Sequence, residues 1–207
     1  MYVKEIGGNL ATKGETILKG NLEQLVEYVL DVEKRPEYDK MYNSGCVLKD
    51  YGGIGIVYQK FNGIFPVKSR DFVILLCKER IEKGFLMHCK SIEYDYPADG
   101  KSVRAIAVSA GFELKEVEPG MIKVTYITES DPCGDLPGIV KRQAGKMQSG
   151  VIIKFREVVM KRFKWHHLIS SEHRINNKVN VTNGPFNQIR WSHGKAKPTA
   201  KKIEALQ

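Results

Sequence analysis

The hydrophobic rhythm of this chain changes between Ile127 and Val140. From Cys46 to Ile127 apolar residues recur at alternate positions or in short unbroken runs. Beyond Pro137 they recur every third or fourth residue, as Val140, Ala144, Met147, Val151, Phe155 and Val158. That second spacing predicts one amphipathic helix of about seven turns, ending near Arg162. The first predicts strands in series: Cys46 to Tyr51, Gly55 to Phe61, Phe72 to Ile81, Phe85 to Ile92, Val103 to Ser109, Phe112 to Val117 and Met121 to Ile127. Turn residues join them, at Gly52-Gly53, Glu82-Lys83-Gly84, Asp99-Gly100 and Pro119-Gly120. Connections this short make antiparallel neighbours. A meander followed by one long helix has few stable solutions, because the helix must bury its stripe against the sheet.

The N-terminal part reads as two short strands, Tyr2 to Ile6 and Glu15 to Lys19. A helix follows, with Asn21 as its cap and Leu22, Leu25, Val26 and Val29 as its stripe. Pro36 opens a second short helix through about Met41. The alternation of Ile122, Val124 and Tyr126 with Lys123 and Thr125 gives that strand one wet face. The unbroken run Phe72 to Cys77 predicts a strand covered on both faces. The expected class is α+β: a curved antiparallel sheet closed by a long C-terminal helix, a grip that can enclose a cavity.

A length of 207 residues, 42% of them hydrophobic, suits one domain with a real core. No stretch has the roughly 20 apolar residues needed to span a bilayer, and the first residues hold no signal-peptide core. The expectation is a soluble, cytoplasmic protein. Cys46, Cys77, Cys89 and Cys133 are widely spaced, which argues against zinc and against a disulfide framework. Cys77 and Cys89 are placed to face each other across a hairpin. Charge is uneven. Residues 1–136 carry 18 Lys and Arg against 21 Asp and Glu, whereas residues 137–207 carry 15 against 3. A surplus of that kind points to a polyanion, either an anionic membrane surface or nucleic acid.

Four motifs then occur in order: Arg35-Pro36-Glu37-Tyr38-Asp39; Pro66-Val67-Lys68-Ser69-Arg70-Asp71-Phe72-Val73; Tyr96-Pro97 with Val103-Arg104-Ala105; and Thr125-Tyr126-Ile127 with Asp131-Pro132-Cys133-Gly134-Asp135-Leu136-Pro137. Together they resemble the START domain, the lipid-transfer family related to steroidogenic acute regulatory protein. The resemblance covers roughly residues 2–162. It implies a domain over 1–163, without the family's first helix and strand, and a basic, mostly irregular tail over 164–207. It also implies a helix-grip fold holding one lipid in a tunnel. The loop between Phe61 and Arg70 and the last helix would form its lid.

The resemblance nominates residues. Arg35 aligns with the arginine that contacts phosphate in members binding phosphatidylcholine, and a guanidinium fork suits phosphate oxygens. The alternative is a surface arginine ahead of a helix. Arg70, Asp71 and Arg104 either brace the sheet through ion pairs and carbonyls or recognise a lipid's polar group. Tyr58, Phe72, Ile106, Val108, Met147, Val151 and Phe155 are expected to line or close the tunnel. Choline-binding members use an aromatic cage, and the equivalent positions here, Gln59, Phe72 and Val108, supply one aromatic.

The function expected is intracellular lipid transfer, most simply of a phospholipid, with a sterol or fatty acyl species as alternatives. The basic helix would add transient contact with anionic membranes. A dry tunnel is about as apolar as a bilayer, so such transfer needs no chemistry and no cofactor. Two other classes remain. A nucleic-acid or partner-binding protein would use the basic C-terminal third with Trp165 and Trp191. A cyclase-type enzyme would need an acid and a base converging in the cavity, and the sequence nominates no such pair. His88, His166, His167, His173 and His193 complete no metal set, and no Walker, Rossmann or G-x-S-x-G signature is present.

Overall fold

In the computed structural model, which describes residues 2–6, 9–96, 100–134, 136 and 138–163, two strands precede the first helix. These are β1 (Tyr2–Ile6) and β2 (Asn9–Lys19), the latter several residues longer than expected. Helix α1 (Leu22–Leu30) starts where the Asn21 side chain accepts a hydrogen bond from the Gln24 backbone N–H at 2.9 Å, satisfying one of the orphan donors of the first turn. Helix α2 (Arg35–Tyr38) is a single turn with Pro36 in its first positions, and is shorter than Pro36 alone suggested.

The sheet continues through β3 (Tyr42–Asp50), β4 (Ile54–Phe61), β5 (Arg70–Ile81), β6 (Gly84–Ser91), β7 (Val103–Arg104), β8 (Ile106–Glu118) and β9 (Met121–Asp131). Helix α3 (Gly138–Arg162) follows. The described strands form one sheet in the order β1-β2-β9-β8-β6-β5-β4-β3. Every pairing along that path is antiparallel.

Two features depart from a plain meander. The expected strands Val103 to Ser109 and Phe112 to Val117 divide differently. A two-residue β7 pairs in parallel with Arg70 and Asp71 of β5, and β8 then runs unbroken through Gly111. Glycine is required there by space: a Cβ on Gly111 would collide with the Met87 carbonyl on β6. The register also shifts between Ala107 and Ser109 and between Glu116 and Glu118. Such bulges bend a strand and raise its twist, which curves the sheet.

The curved sheet has a solid half and a hollow half. The solid half joins β2, β8 and β9 to α1 and α3. Leu18, Leu25, Leu114, Ile122, Val124, Ile152, Phe155 and Val159 are almost fully buried there. The Phe155 ring meets Tyr38 edge-on at 5.1 Å and Phe112 at 5.7 Å. Helix α3 approaches β2 closely because Gly14 has no side chain; a Cβ there would stand 2.5 Å from Ile152 Cγ2. In the other half, β4 and β5 are covered on both faces. Ile56, Tyr58 and Val73 pack under Tyr94 and Tyr96 on the outer face, while Val57, Ile74 and Ala107 pack with Val32 and Phe72 on the inner face. The unbroken apolar run of β5 has this physical origin.

Candidate functional site

The hollow half contains a cavity of about 170 Å³, measured as the space open to the centre of a water molecule. One buried water needs only about 10–15 Å³ of such space, so the hollow has room for a ligand far larger than a water.

Its walls come from elements far apart in sequence. Helix α1 and the turn after it supply Val29, Leu30 and Val32. Strands β4, β5 and β6 supply Gln59, Phe61, Phe72, Ile74, Leu76, Met87 and Cys89, and β8 and β9 supply Ala107, Ala110, Tyr126, Thr128 and Ser130. The loop after β4 supplies Ile64 and Val67. Helix α3 and the hinge before it supply Leu136, Val140, Ala144 and Gln148. These four recur every fourth residue, so a single stripe of α3 and its hinge faces the hollow.

Arg35 and Asp39 are charged groups of the cavity wall, and Lys68 and Arg70 border it as well. The Arg35 Nε donates to Asp39 Oδ2 at 3.3 Å, one helical turn on. Its guanidinium lies over the rings of Tyr42 and Phe61, at 5.4 and 5.3 Å from their centroids. The Arg35 side chain is 18% exposed and that of Asp39 6%. Burial pulls the Arg35 pKa down, but Asp39, together with Tyr126, Tyr38 and Cys89, pushes it up, and the net direction is up. The guanidinium is a permanent cation inside an apolar compartment. Burial also pushes neighbouring groups toward their neutral forms, the Cys89 thiol up to about 11 and the Tyr126 phenol up to about 12, each against the pull of Arg35.

Arg70, at the rim, is a brace. Its Nε donates to the Pro132 carbonyl at 2.9 Å, Nη1 to the Lys68 carbonyl at 2.7 Å and Nη2 to the Cys133 carbonyl at 3.0 Å. One side chain thus fastens the loop after β4 to the hinge between β9 and α3. Asp71, Arg104 and Tyr58 stand together on the opposite face of the sheet. Asp71 is fully buried and accepts from Arg104 Nε at 2.8 Å, from Arg104 Nη2 at 3.3 Å and from Tyr58 Oη at 3.4 Å. Arg104 Nη2 also donates to the Tyr96 carbonyl at 3.2 Å. These three residues hold the outer layer over β4 and β5 and do not reach the cavity. Arg70, Asp71 and Arg104 make the contacts of the bracing alternative, whereas Tyr58, expected to line the tunnel, stands on the outer face.

Other expectations need correction. Ile106 is 46% exposed and Met147 40% exposed, and neither lines the cavity. Val108 falls within the β8 bulge, while Ala107 and Ala110 take the inward positions. Val151 and Phe155 lie in the solid core that floors the cavity. Phe72 does line it, and meets Phe61 edge-on at 5.5 Å. Cys77 pairs with His88, and Cys89 with Leu76. Side chains alternate across a strand, so the two thiols are on opposite faces. Sequence reasoning missed Asp39, Tyr126, Thr128, Ser130 and Gln148 as wall residues. The i, i+4 spacing of Arg35 and Asp39 was a usable signal for the first.

The family model of the START domain matches residues 8–166. The chain belongs to the START domain family. An uncharacterized protein of Pseudomonas aeruginosa is 24% identical over 140 residues, 66% of this chain and 69% of that protein. Human START domain-containing protein 10 is 21% identical over 146 residues, 69% of this chain and 50% of its own length; the chain thus spans half of that relative. The crystal structure of human STARD10 superposes with a TM-score of 0.66 at 20% identity, covering 77% of this chain and 66% of the other. Human StAR-related lipid transfer protein 5 gives 0.68 at 18%, covering 79% and 87%. The likeness extends to the Zhui aromatase/cyclase of Streptomyces sp. R1128, at 0.50 and 8%, covering 75% and 94%. Similarity this distant establishes the START fold, and a fold hosts more than one activity.

Lipid binding and transfer in general follow from the family. Among the described residues no helix is long and apolar enough to cross a membrane. Residues 164–207, which hold Trp165, Trp191 and four of the five histidines, lie outside the described residues, as do the side chains of Lys141, Arg142 and Lys146.

Proposed function

We propose that the chain carries one lipid molecule between membranes, its apolar part in the cavity and its phosphate on Arg35. The observation behind this reading is a permanent cation on the wall of a mostly apolar hollow. A guanidinium has five N–H donors; Asp39 engages Nε and the Tyr126 oxygen accepts another, and the donors that remain suit phosphate oxygens. Chain burial supplies the affinity, at about 0.8 kcal/mol per methylene. The same gain is available in a bilayer, so passage between the two is close to neutral.

Two exposed apolar residues support contact with a membrane at the mouth. Phe65 projects from the loop whose Ile64 and Val67 line the cavity, and is 97% exposed. Ile139, beside the lining Val140, is 69% exposed. Of the basic residues of α3, Lys154 pairs with Glu157 at 3.0 Å and Arg162 with Glu37 at 3.2 Å, so these two arrive at a surface already neutralised. On this reading the protein is not an enzyme: Cys89 and Tyr126 beside Arg35 are held in their neutral forms, and among the described wall residues the ion pair Arg35–Asp39 is closed on itself.

Native mass spectrometry of the protein purified from cells, followed by a vesicle-to-vesicle exchange assay, tests the proposal. A co-purifying phosphate-bearing lipid and faster exchange than in buffer alone are expected. Absence of both lipid uptake and exchange overturns it.

A further inference from the structure

The wall under α3 is more polar than a hydrocarbon chain requires. Thr12 on β2 and Thr128 on β9 are cross-strand partners and both are buried, at 0% and 6% exposed. Ser130, two residues along β9, is 6% exposed and lines the cavity with Thr128. Gln148 lines the cavity from the helix side. Ile152 sits against Gly14, and Gln148, one turn earlier on the same helix, borders the same cavity as Thr128 and Ser130. Among the described residues, Gln148 Oε1 and Thr12 Oγ1 are buried without a hydrogen-bond partner.

An unsatisfied buried acceptor is costly unless something arrives to donate to it. An ordinary core would place Val or Leu at these positions. Resting on the lipid-binding reading, we infer that Gln148, with Thr128 and Ser130, forms a second polar subsite that recognises a hydroxyl group on the ligand. A hydroxyl both donates and accepts. It can give its hydrogen to Gln148 Oε1 and take one from a wall hydroxyl. A diacyl choline lipid has only acceptors at its glycerol and cannot do this. A single-chain lysophospholipid has a free glycerol hydroxyl beside its phosphate, and a sterol has one hydroxyl and no phosphate. The subsite therefore selects for a hydroxyl on the lipid body, whereas Arg35 selects for an anion.

The test uses the full chain and two matched pairs: a lysophosphatidylcholine with its analogue lacking the glycerol hydroxyl, and cholesterol with cholestene. Binding is read by displacement of a fluorescent fatty acid. The expected result is that the hydroxyl member of one pair binds roughly tenfold more tightly than its deoxy partner; which pair does so identifies the ligand body. Gln148→Leu should abolish that preference while leaving the melting temperature unchanged or raised, since it removes an unpaired polar atom. Ser130→Ala, a milder change, should reduce it. Equal binding within both pairs, or a preference that survives Q148L, overturns the subsite and leaves lipid binding intact. No binding of any of the four overturns the subsite, while the lipid-carrier reading stands or falls by the exchange assay.

Discussion

The Arg104 guanidinium and the Asp71 carboxylate meet at 2.8 Å on the face of β5 turned away from the cavity. Asp71 has no exposed surface, while the Arg104 side chain is 34% exposed. The pair ties β7 to β5 and, through Tyr58 and Tyr96, covers the back of the cavity wall. Hydrogen bonding to Asp71 raises the Arg104 pKa further, against the effect of burial. Removing Arg104 would strand a buried charge, which costs about 3–5 kcal/mol in a dry site. Water reaches this pair from one side, so Arg104→Ala should lower stability by about 2 kcal/mol in urea unfolding. Lipid affinity of the folded fraction should be unchanged; a selective loss of binding without a loss of stability would place Arg104 in the ligand site instead.

Arg35 and Asp39 should respond in opposite directions. Arg35→Ala removes charge-assisted hydrogen bonds and should weaken binding of a phosphate-bearing lipid by tenfold or more. Asp39→Asn keeps an acceptor for the Met41 backbone N–H, which Asp39 now holds at 3.2 Å, and frees the guanidinium of its counter-charge. Its affinity for the same lipid should rise a few-fold. Equilibrium binding of an anionic and a neutral single-chain lipid to each variant checks the pair.

Phe65 separates docking from holding. Burying a phenylalanine side chain is worth about 1.5–3 kcal/mol. Phe65→Ser should therefore slow exchange between dilute vesicles roughly tenfold, with ligand affinity in detergent-free solution unaltered. Equal losses in both assays would mean that the loop shapes the cavity and does not meet the membrane.

Alkaline pH should destabilise the fold through the cavity wall. Burial raises the Cys89 thiol from 9.0 to about 11 and the Tyr126 phenol from 10.0 to about 12. A group with a raised pKa stabilises the folded state fully below its unfolded value, and that contribution is lost as pH climbs through the folded one. Melting temperature should fall between pH 9 and about 12. Cys89→Ala and Tyr126→Phe should each flatten that slope.

Much of the fold was legible because turns and periods are local properties. Gly52-Gly53, Lys83-Gly84 and Pro119-Gly120 fix strand ends wherever the strands go. The site was less legible, because it depends on which face of each element points inward. Arg104, Ile106 and Val108 share a parity in sequence, yet their face is the outer one, and the β8 bulge breaks the parity at Ala107. On α3 the apolar count favours Met147, whereas the stripe over the hollow runs through Val140, Ala144 and Gln148. A glutamine in that stripe is invisible to any search for hydrophobic periodicity. The outward pair Arg104–Asp71 and the inward pair Arg35–Asp39 look alike as text; only the sheet's curvature tells them apart.

Helix α3 is fastened mainly at its far end. Phe155 and Val159 are sunk in the core, and Arg162 grips Glu37, which Tyr28 Oη also contacts at 2.9 Å. Val140, Ala144 and Gln148 of its first three turns face the cavity, with Arg70 holding the hinge before them. Mechanically this is a cantilever. A load at the free end bends such a beam without disturbing its mount; on the proposed lipid-carrier reading, cargo would come and go through one doorway while the foundations of the molecule keep still.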